Sequence, residues 1–205
     1  MRSPFEIVRD FEYAVSEYTG APHVVVVNSC TMALLLAVRW CVQHEHGIAD
    51  TVRIPKRTYV SVPMSIIHAG AKVEFEDFKW RGMYQLQPLP VYDSARCFTG
   101  GMYKKFAGCM LCVSFHATKI LGDTQGGAIL LDDPMIDRWL RRMRFDGRTE
   151  GVAPKDDDFT EIGYHAYMSP DVAARLLHRL SVLPYDNPPL PGDDYPDLSK
   201  YEVFR

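Results

Sequence analysis

Four consecutive valines, Val24 to Val27, follow His23 and constrain the fold more than any other feature of the chain. A strand that is β-branched and apolar at successive positions must bury both faces, as in a sheet covered by helices on each side. The flanking sequence supplies those helices. Upstream, Val8, Phe11, Val15 and Tyr18 recur at three- and four-residue spacing within Pro4 to Tyr18, and Gly20-Ala-Pro22 ends the run. Downstream, Asn28-Ser29 opens a helix from about Thr31 to His44 with Leu34, Leu35, Val38 and Val42 facing inward. A strand at Thr51 to Ile54 stops at Pro55. A helix from about Val62 to Ala69 has Pro63 in its first turn and Gly70 as its cap, and a third strand runs from Lys72 to Phe75. Strand-helix-strand-helix-strand in this order predicts right-handed parallel crossovers. The fold class is therefore α/β, a three-layer sandwich with a mostly parallel sheet.

The second half is less even. Glu76 to Pro90 reads as irregular, with a turn at Arg81-Gly82. A short strand then ends at Val91-Tyr92, a turn follows at Gly100-Gly101, and strands are predicted at Cys109 to Ser114 and Ala128 to Leu131. Pro134 starts a helix to about Phe145, and Ser169-Pro170-Asp171 starts one ending near Leu180. Pro184, Pro188, Pro189, Pro191 and Pro196 then forbid regular structure. The predicted division is a compact domain over 1–183 and a Pro-rich extended arm over 184–205.

Composition excludes several classes. A chain of 205 residues needs no disulfide or metal staple to form a core, and a net charge of -3 argues against a general nucleic-acid binder. The longest apolar runs, Val24 to Val27 and Met32 to Val38, are too short to span a bilayer. Glu6, Asp10 and Glu12 interrupt the N-terminus, so no secretory signal is predicted, and five cysteines then point to a reducing, cytoplasmic setting. Cys109 and Cys112 form a CxxC, but on a strand an i, i+3 pair faces opposite ways, so no metal site is assigned. His44-Glu-His46 before Gly47 reads as a helix C-terminus rather than a ligand pair. Arg138, Arg141, Arg142, Arg144 and Arg148 read as a solvated helix face, with a phosphate-attracting patch as the alternative.

Four strand ends could carry a site, and ligands in open α/β sheets bind at strand carboxyl ends. Asn28-Ser29-Cys30-Thr31 lies at a helix N-terminus, where amides and hydroxyls suit a phosphate or simply cap the helix. Asp93 is either a charge partner or a turn cap. Tyr59, after Pro55, either stacks on a ligand ring or packs in the core. Lys119 leaves a buried strand in Ser114-Phe-His-Ala-Thr-Lys119, followed by Gly126-Gly127, which allow a close backbone approach. A desolvated lysine there has a lowered pKa and can form a Schiff base, while a lysine reaching to the surface is the plain alternative.

Taken in order, Asn-Ser-Cys-Thr-Met-Ala-Leu, Pro-Lys-Arg-Thr-Tyr-Val-Ser, Tyr-Asp-Ser-Ala and Ser-Phe-His-Ala-Thr-Lys with Gly-Gly resemble the DegT/DnrJ/StrS aminotransferases. These are fold-type I pyridoxal-phosphate enzymes, most of which aminate keto groups of nucleotide-linked sugars. The resemblance runs from about residue 5 to 181 and implies a reduced form of the family's large domain. It implies that Lys119 holds pyridoxal 5'-phosphate and that Asp93 pairs with its pyridine nitrogen. Tyr59 would stack on the ring, and Ser29, Cys30, Thr31 and Ser114 would hold the phosphate. Arg96 stands near the cofactor's phenolic oxygen, where the family has Gln or His. Tyr167 aligns with the Asn or Arg that reaches the neighbouring subunit's phosphate site, which implies a homodimer with shared sites. Cys30 replaces a family glycine, the family's strand-helix units between Phe75 and Val91 shrink to a short link, and the C-terminal small domain is essentially absent.

The implied activity is amine transfer from glutamate or glutamine to a keto group of a nucleotide-linked sugar or another phosphorylated acceptor. Loss of the small domain supports a different reading, a cofactor-binding partner or regulator without transferase activity. A third is another pyridoxal-phosphate reaction on a modified nucleotide.

Overall fold

The valine run forms β1 (His23–Val27), with Val25 and Val27 packed into one core and Val24 and Val26 into another. This two-faced burial is seen in a computed structural model that describes residues 5–44, 50–192 and 194–204. One face is covered by α2 (Cys30–His44), α3 (Ser61–Ala69) and α4 (Pro134–Met143), and the other by α1 (Glu6–Thr19) and α5 (Pro170–Ser181). Three layers result, as the sequence predicts. The helix ends follow their local chemistry. Gly20 and Gly70 close α1 and α3 in the left-handed region, and the Asp133 carboxylate accepts from the amides of Met135 and Ile136 to start α4. The predicted start of α1 at Pro4 and the Glu45-His46-Gly47 end of α2 lie outside the described residues.

Strand pairing is mixed. The larger sheet has the order β1-β7-β6-β5-β4, from β7 (Gly127–Leu131), β6 (Met110–Ser114), β5 (Val91–Asp93) and β4 (Tyr84–Gln85), while β2 (Thr51–Pro55) pairs with β3 (Lys72–Glu76). Side-by-side parallel pairing occurs at β2–β3 and β5–β6, and the other three pairs are antiparallel. The Arg53 amide donates to the Gln87 carbonyl at 2.8 Å and the Gln87 amide returns the bond at 3.1 Å, which joins the two sheets just beyond β4. Read through these pairings, β1, β2, β3, β5 and β6 run one way and only β4 and β7 run the other. β4 lies inside the segment the sequence predicts to be irregular. It is two residues long, and no hydrophobic period can announce so short an element.

The arginine-rich segment departs from expectation. Arg144 is 1% exposed, and its guanidinium donates to Glu12, Glu150 and the Val26 carbonyl. Arg141 reaches the same Glu12 carboxylate at 2.7 Å. Burial alone would raise the Glu12 pKa, but Arg144 and Arg141 hold it below the ordinary carboxylate range. This part of the cluster is therefore a buried tie between α1, β1 and the end of α4, not a solvated face. Breaking such a pair from one side costs about 3–5 kcal/mol, because the other charge is left buried.

The segment after α5 crosses the molecule as a docked strap. Tyr18 donates to the Pro184 carbonyl at 2.6 Å, the Leu190 amide donates to the Arg96 carbonyl at 2.8 Å, and the Leu198 amide donates to the Lys56 carbonyl at 2.8 Å. The prolines keep it extended as far as Pro196. Beyond them the expectation of no regular structure is corrected, since single 3₁₀ turns form at Leu198–Lys200 and Glu202–Phe204 and bury Leu198 and Phe204.

Candidate active site

The carboxyl ends of β1, β2, β5 and β6 converge on one cavity of about 320 Å³. Of the residues singled out in the sequence, Ser29, Cys30, Thr31, Tyr59, Asp93, Arg96, Ser114 and Lys119 all line it. Tyr167 does not. It bridges Val27 instead, in ring contact with Phe5, Phe145 and His165.

One wall is the start of α2. Ser29 Oγ accepts from the Met32 amide at 3.2 Å, so the capping alternative holds for this residue, and its side chain still lines the cavity. Thr31 donates to Ser61 Oγ at 2.9 Å, bringing in a hydroxyl from the start of α3 that the sequence reading missed. Cys30 turns inward, with its Sγ 3.6 Å from the Cys112 carbonyl, and burial pushes its thiol pKa well up. What it can offer an anion is thus a backbone amide at a helix N-terminus. The predicted close approach at Gly126-Gly127 is to protein. A first side-chain carbon on Gly127 would come 2.5 Å from the Cys30 amide nitrogen, so β7 presses directly on this wall.

Asp93 ends β5 and is 3% exposed. Its Oδ1 accepts from the Ala95 amide at 2.9 Å, and its Oδ2 from the Tyr84 hydroxyl at 2.9 Å. Among the described residues no Lys or Arg nitrogen pairs with it directly. Burial raises its pKa, opposed by these two hydrogen bonds and by the more distant Lys119 and Arg96. An opposite charge brought into the cavity would favour its ionised form.

Tyr84 was not foreseen, because it sits on the two-residue β4. Its hydroxyl lies 2.6 Å from Thr58 Oγ1, and burial pushes its own pKa well above the ordinary value, so it stays a neutral donor to Asp93. Tyr84→Phe is expected to cost about 1–3 kcal/mol of stability, measured by urea denaturation. It also removes a bond that lowers the Asp93 pKa, so any function that needs the carboxylate should fail at a higher pH as acid is added.

Lys119 lies in the loop between β6 and β7. The base of that loop is pinned where the Phe115 amide donates to the Gly126 carbonyl and the Asp123 amide donates to the Phe115 carbonyl, each at 2.9 Å. Asp123 in turn accepts from Arg175 of α5 at 2.9 Å. Gly122 is required inside the loop, since a side chain there would meet the Ala117 carbonyl oxygen at 2.8 Å. Burial lowers the Lys119 pKa and the Arg96 charge lowers it further, against the pull of Asp93. A larger fraction of neutral amine is therefore present near neutral pH.

Tyr59 is 55% exposed at the cavity rim, which removes core packing as its explanation. Trp80 and Tyr195 complete the wall, with their rings stacked 9° from parallel at 6.2 Å. Neither carried a sequence signal. Trp80 lies in the irregular link and Tyr195 in the proline-rich arm. As to the CxxC, Cys112 packs into one core and Cys109 against the other, and the described residues hold no group of three or more His, Cys, Asp or Glu placed to bind a metal.

This donor set fits pyridoxal phosphate. Hydroxyls and amides at a helix N-terminus suit the phosphate, a buried carboxylate without a cation suits a protonated ring nitrogen, and an amine of lowered pKa suits the carbonyl.

Comparison with known proteins agrees. At 27% identity, the UDP-4-amino-4,6-dideoxy-N-acetyl-beta-L-altrosamine transaminase of Campylobacter jejuni aligns with 82% of this chain and 54% of its own length. Spore coat polysaccharide biosynthesis protein SpsC of Bacillus subtilis is 40% identical over 70 residues, covering 34% of this chain and 17% of its own. The chain spans about half the length of the C. jejuni relative. Among solved structures, AtS13 from Actinomadura melliaura superposes with a TM-score of 0.71 at 21% identity, covering 89% of this chain and 61% of its own. Helicobacter pylori PseC, an aminotransferase involved in the biosynthesis of pseudoaminic acid, gives 0.69 at 18% identity, covering 87% and 58%. The fold is that of these aminotransferases. One family model matches residues 2–91 and 89–186, two segments that meet at the turn from β4 into β5. The chain belongs to the DegT/DnrJ/EryC1/StrS aminotransferase family.

Proposed function

We propose that the protein is a pyridoxal-phosphate-dependent aminotransferase that moves an amino group from glutamate or glutamine to a keto group of a nucleotide-linked sugar or related phosphorylated acceptor. The observation that carries this reading is the convergence of Lys119 and Asp93 on one cavity whose wall is the N-terminus of α2. The names of the C. jejuni relative and of PseC support the sugar acceptor. When bound, the cofactor supplies the electron sink for moving the amine. The rest is the work of the chain. Ser29, Thr31, Ser114 and the Cys30 amide hold the phosphate, and Tyr59 flanks the ring. Asp93 keeps the ring nitrogen protonated, supported by Tyr84. Lys119 would anchor the cofactor, and its amine, once released, would carry the proton between the substrate carbon and the cofactor carbon, in one direction with the donor and in the other with the acceptor.

The compact part, 1–183, would carry this machinery, with the arm over 184–205 as an accessory. A visible absorption spectrum of the purified protein tests the proposal. A yellow protein that bleaches on adding glutamate supports it, and one that stays colourless after cofactor is supplied ends it. The docked arm favours a second reading, a cofactor-binding partner without transferase activity, and that protein would be yellow but would not bleach. A different reaction on a modified nucleotide would instead show itself in acceptor screening.

The working unit is proposed to be a homodimer in the cytoplasm. Val60, Met64 and Ile67 form an exposed apolar row along α3, and such a row is better covered than left in water. No helix among the described residues is long and apolar enough to cross a membrane. Sedimentation equilibrium is expected to give twice the chain mass, and a monomer with bound cofactor would overturn the pairing.

A further inference from the structure

Every nitrogen of the Arg96 guanidinium is held by the arm. Its Nε donates to the Tyr195 hydroxyl at 3.1 Å, its Nη1 to the Pro191 carbonyl, and its Nη2 to both oxygens of the Asp194 carboxylate at 2.8 and 2.9 Å. The guanidinium also lies over the Tyr195 ring, 4.7 Å from its centre. Arg96 and Lys119 line the same cavity, and Tyr195 lines it too. Asp194 does not, standing at the outer edge with its side chain 63% exposed. The two ends of this contact are thus unequal. The Arg96 side chain is 13% exposed and fixed by two arm groups that do not carry charge, whereas the carboxylate it grips lies in water.

We propose that Arg96 is a carboxylate-binding subsite for the amino-acid or oxo-acid substrate, and that Asp194 of the arm fills it as an internal competitor. The proposal rests on the transferase reading above and names the group that would seat the donor. A guanidinium suits a carboxylate, and Nη2 of this one already holds both oxygens of a carboxylate while its other nitrogens are taken by Tyr195 and Pro191. Tyr195 and the Pro191 carbonyl hold the guanidinium from below and beside, so the fork keeps its shape when Asp194 leaves. Asp194 is the exposed partner and is replaced by a group of the same charge, so exchanging it for a second carboxylate leaves the guanidinium paired. Only the Asp194 side chain would move: seated on Arg96 when no acid is present, turned out to water when one binds. Close packing of Gly192 against the Trp80 ring, where a side-chain carbon would come within 2.6 Å, keeps the neighbouring arm in register.

The test is a ligand-detected NMR titration of the full chain, with and without pyridoxal phosphate, using glutarate, a dicarboxylate with no amine or keto group to react. Wild type is compared with Asp194→Asn and with Asp194→Asn/Arg96→Gln. If the arm fills the fork about nine-tenths of the time, removing the competing charge tightens glutarate about tenfold. The double variant should lose that gain. No tightening in Asp194→Asn would overturn the proposal, as would a gain that survives in the double variant. Inorganic phosphate is titrated alongside, and an equal or larger gain for phosphate would overturn the carboxylate assignment. Asp194 is exposed, so its variant should fold; if the double variant does not, Asp194→Glu takes its place. Since Asp194→Glu restores the charge, it should return the wild-type affinity, and a retained gain would overturn the proposal. Borohydride trapping of cofactor on Lys119 in the same preparations reports separately on the transferase reading. Absence of the adduct would end that reading while the glutarate comparison still judges the subsite.

Discussion

Asp93→Asn is expected to fold, to keep its cofactor and to lose turnover by about a hundredfold or more. The geometry separates shape from charge at this residue. An asparagine oxygen can accept from the Ala95 amide as Oδ1 does now, and its amide can donate to the Tyr84 oxygen while the Tyr84 proton turns to Thr58. What disappears is the negative charge facing the cavity. A charge-assisted hydrogen bond contributes about 1.5–3 kcal/mol, and the upper end of that range corresponds to roughly a hundredfold in rate. If Asp93 serves only as a turn cap, asparagine serves as well, because the two cap comparably. Cofactor content and single-turnover amine transfer from glutamate, measured side by side, separate the cases. Near-normal transfer by the variant would return Asp93 to a structural role.

Much of the molecule was legible because its elements are long or punctuated. β1 announces itself through its valines, and α1 and α3 through their periodicity and their glycine caps. Eight of the nine residues assigned to the site line one cavity, since strands that run the same way bring the ends of distant segments together. The misses have physical reasons. Tyr84 lies on a two-residue strand held by pairing with β5, just before the bridge to β2 at Gln87. Arg144 looks like the other arginines of its segment in sequence, and only the approach of Glu12 across 132 positions makes it a buried ion. Tyr195 and Asp194 lie among prolines, which describe the backbone of a segment and say nothing about where it docks. Long-range contacts of single residues leave no period in a sequence.

β4 and the arm both serve the cavity. β4 carries the hydroxyl that donates to Asp93, and the arm sets Tyr195 against Trp80 in the wall. Each brings a group from a segment without sequence period to the cavity or its buried carboxylate.

Lys119→Ala is expected to fold, to bind cofactor without a covalent link and to lose turnover by about 10⁴-fold, the scale of a positioned acid–base group. Seven other lysines could compete, and the structure places them badly. Lys56 is the nearest in sequence terms to a site, but it is paired with Asp77 at 2.7 Å and with Asp197 at 3.6 Å. Its hydrogen bond to Asp77 raises its pKa, which keeps it charged and non-nucleophilic. Lys72, Lys79, Lys104, Lys105, Lys155 and Lys200 are exposed and line no part of the cavity. Lys119 has the opposite environment, with burial first and Arg96 second pressing its pKa down. Folding should survive because the loop is held by Gly122, Asp123 and the Phe115–Gly126 bond, none of which involves the lysine side chain. Borohydride reduction of the cofactor-loaded protein, followed by peptide mapping, should place the adduct on Lys119 in wild type and nowhere in Lys119→Ala. An adduct on another lysine, or one that persists in the variant, would show the assignment to be wrong.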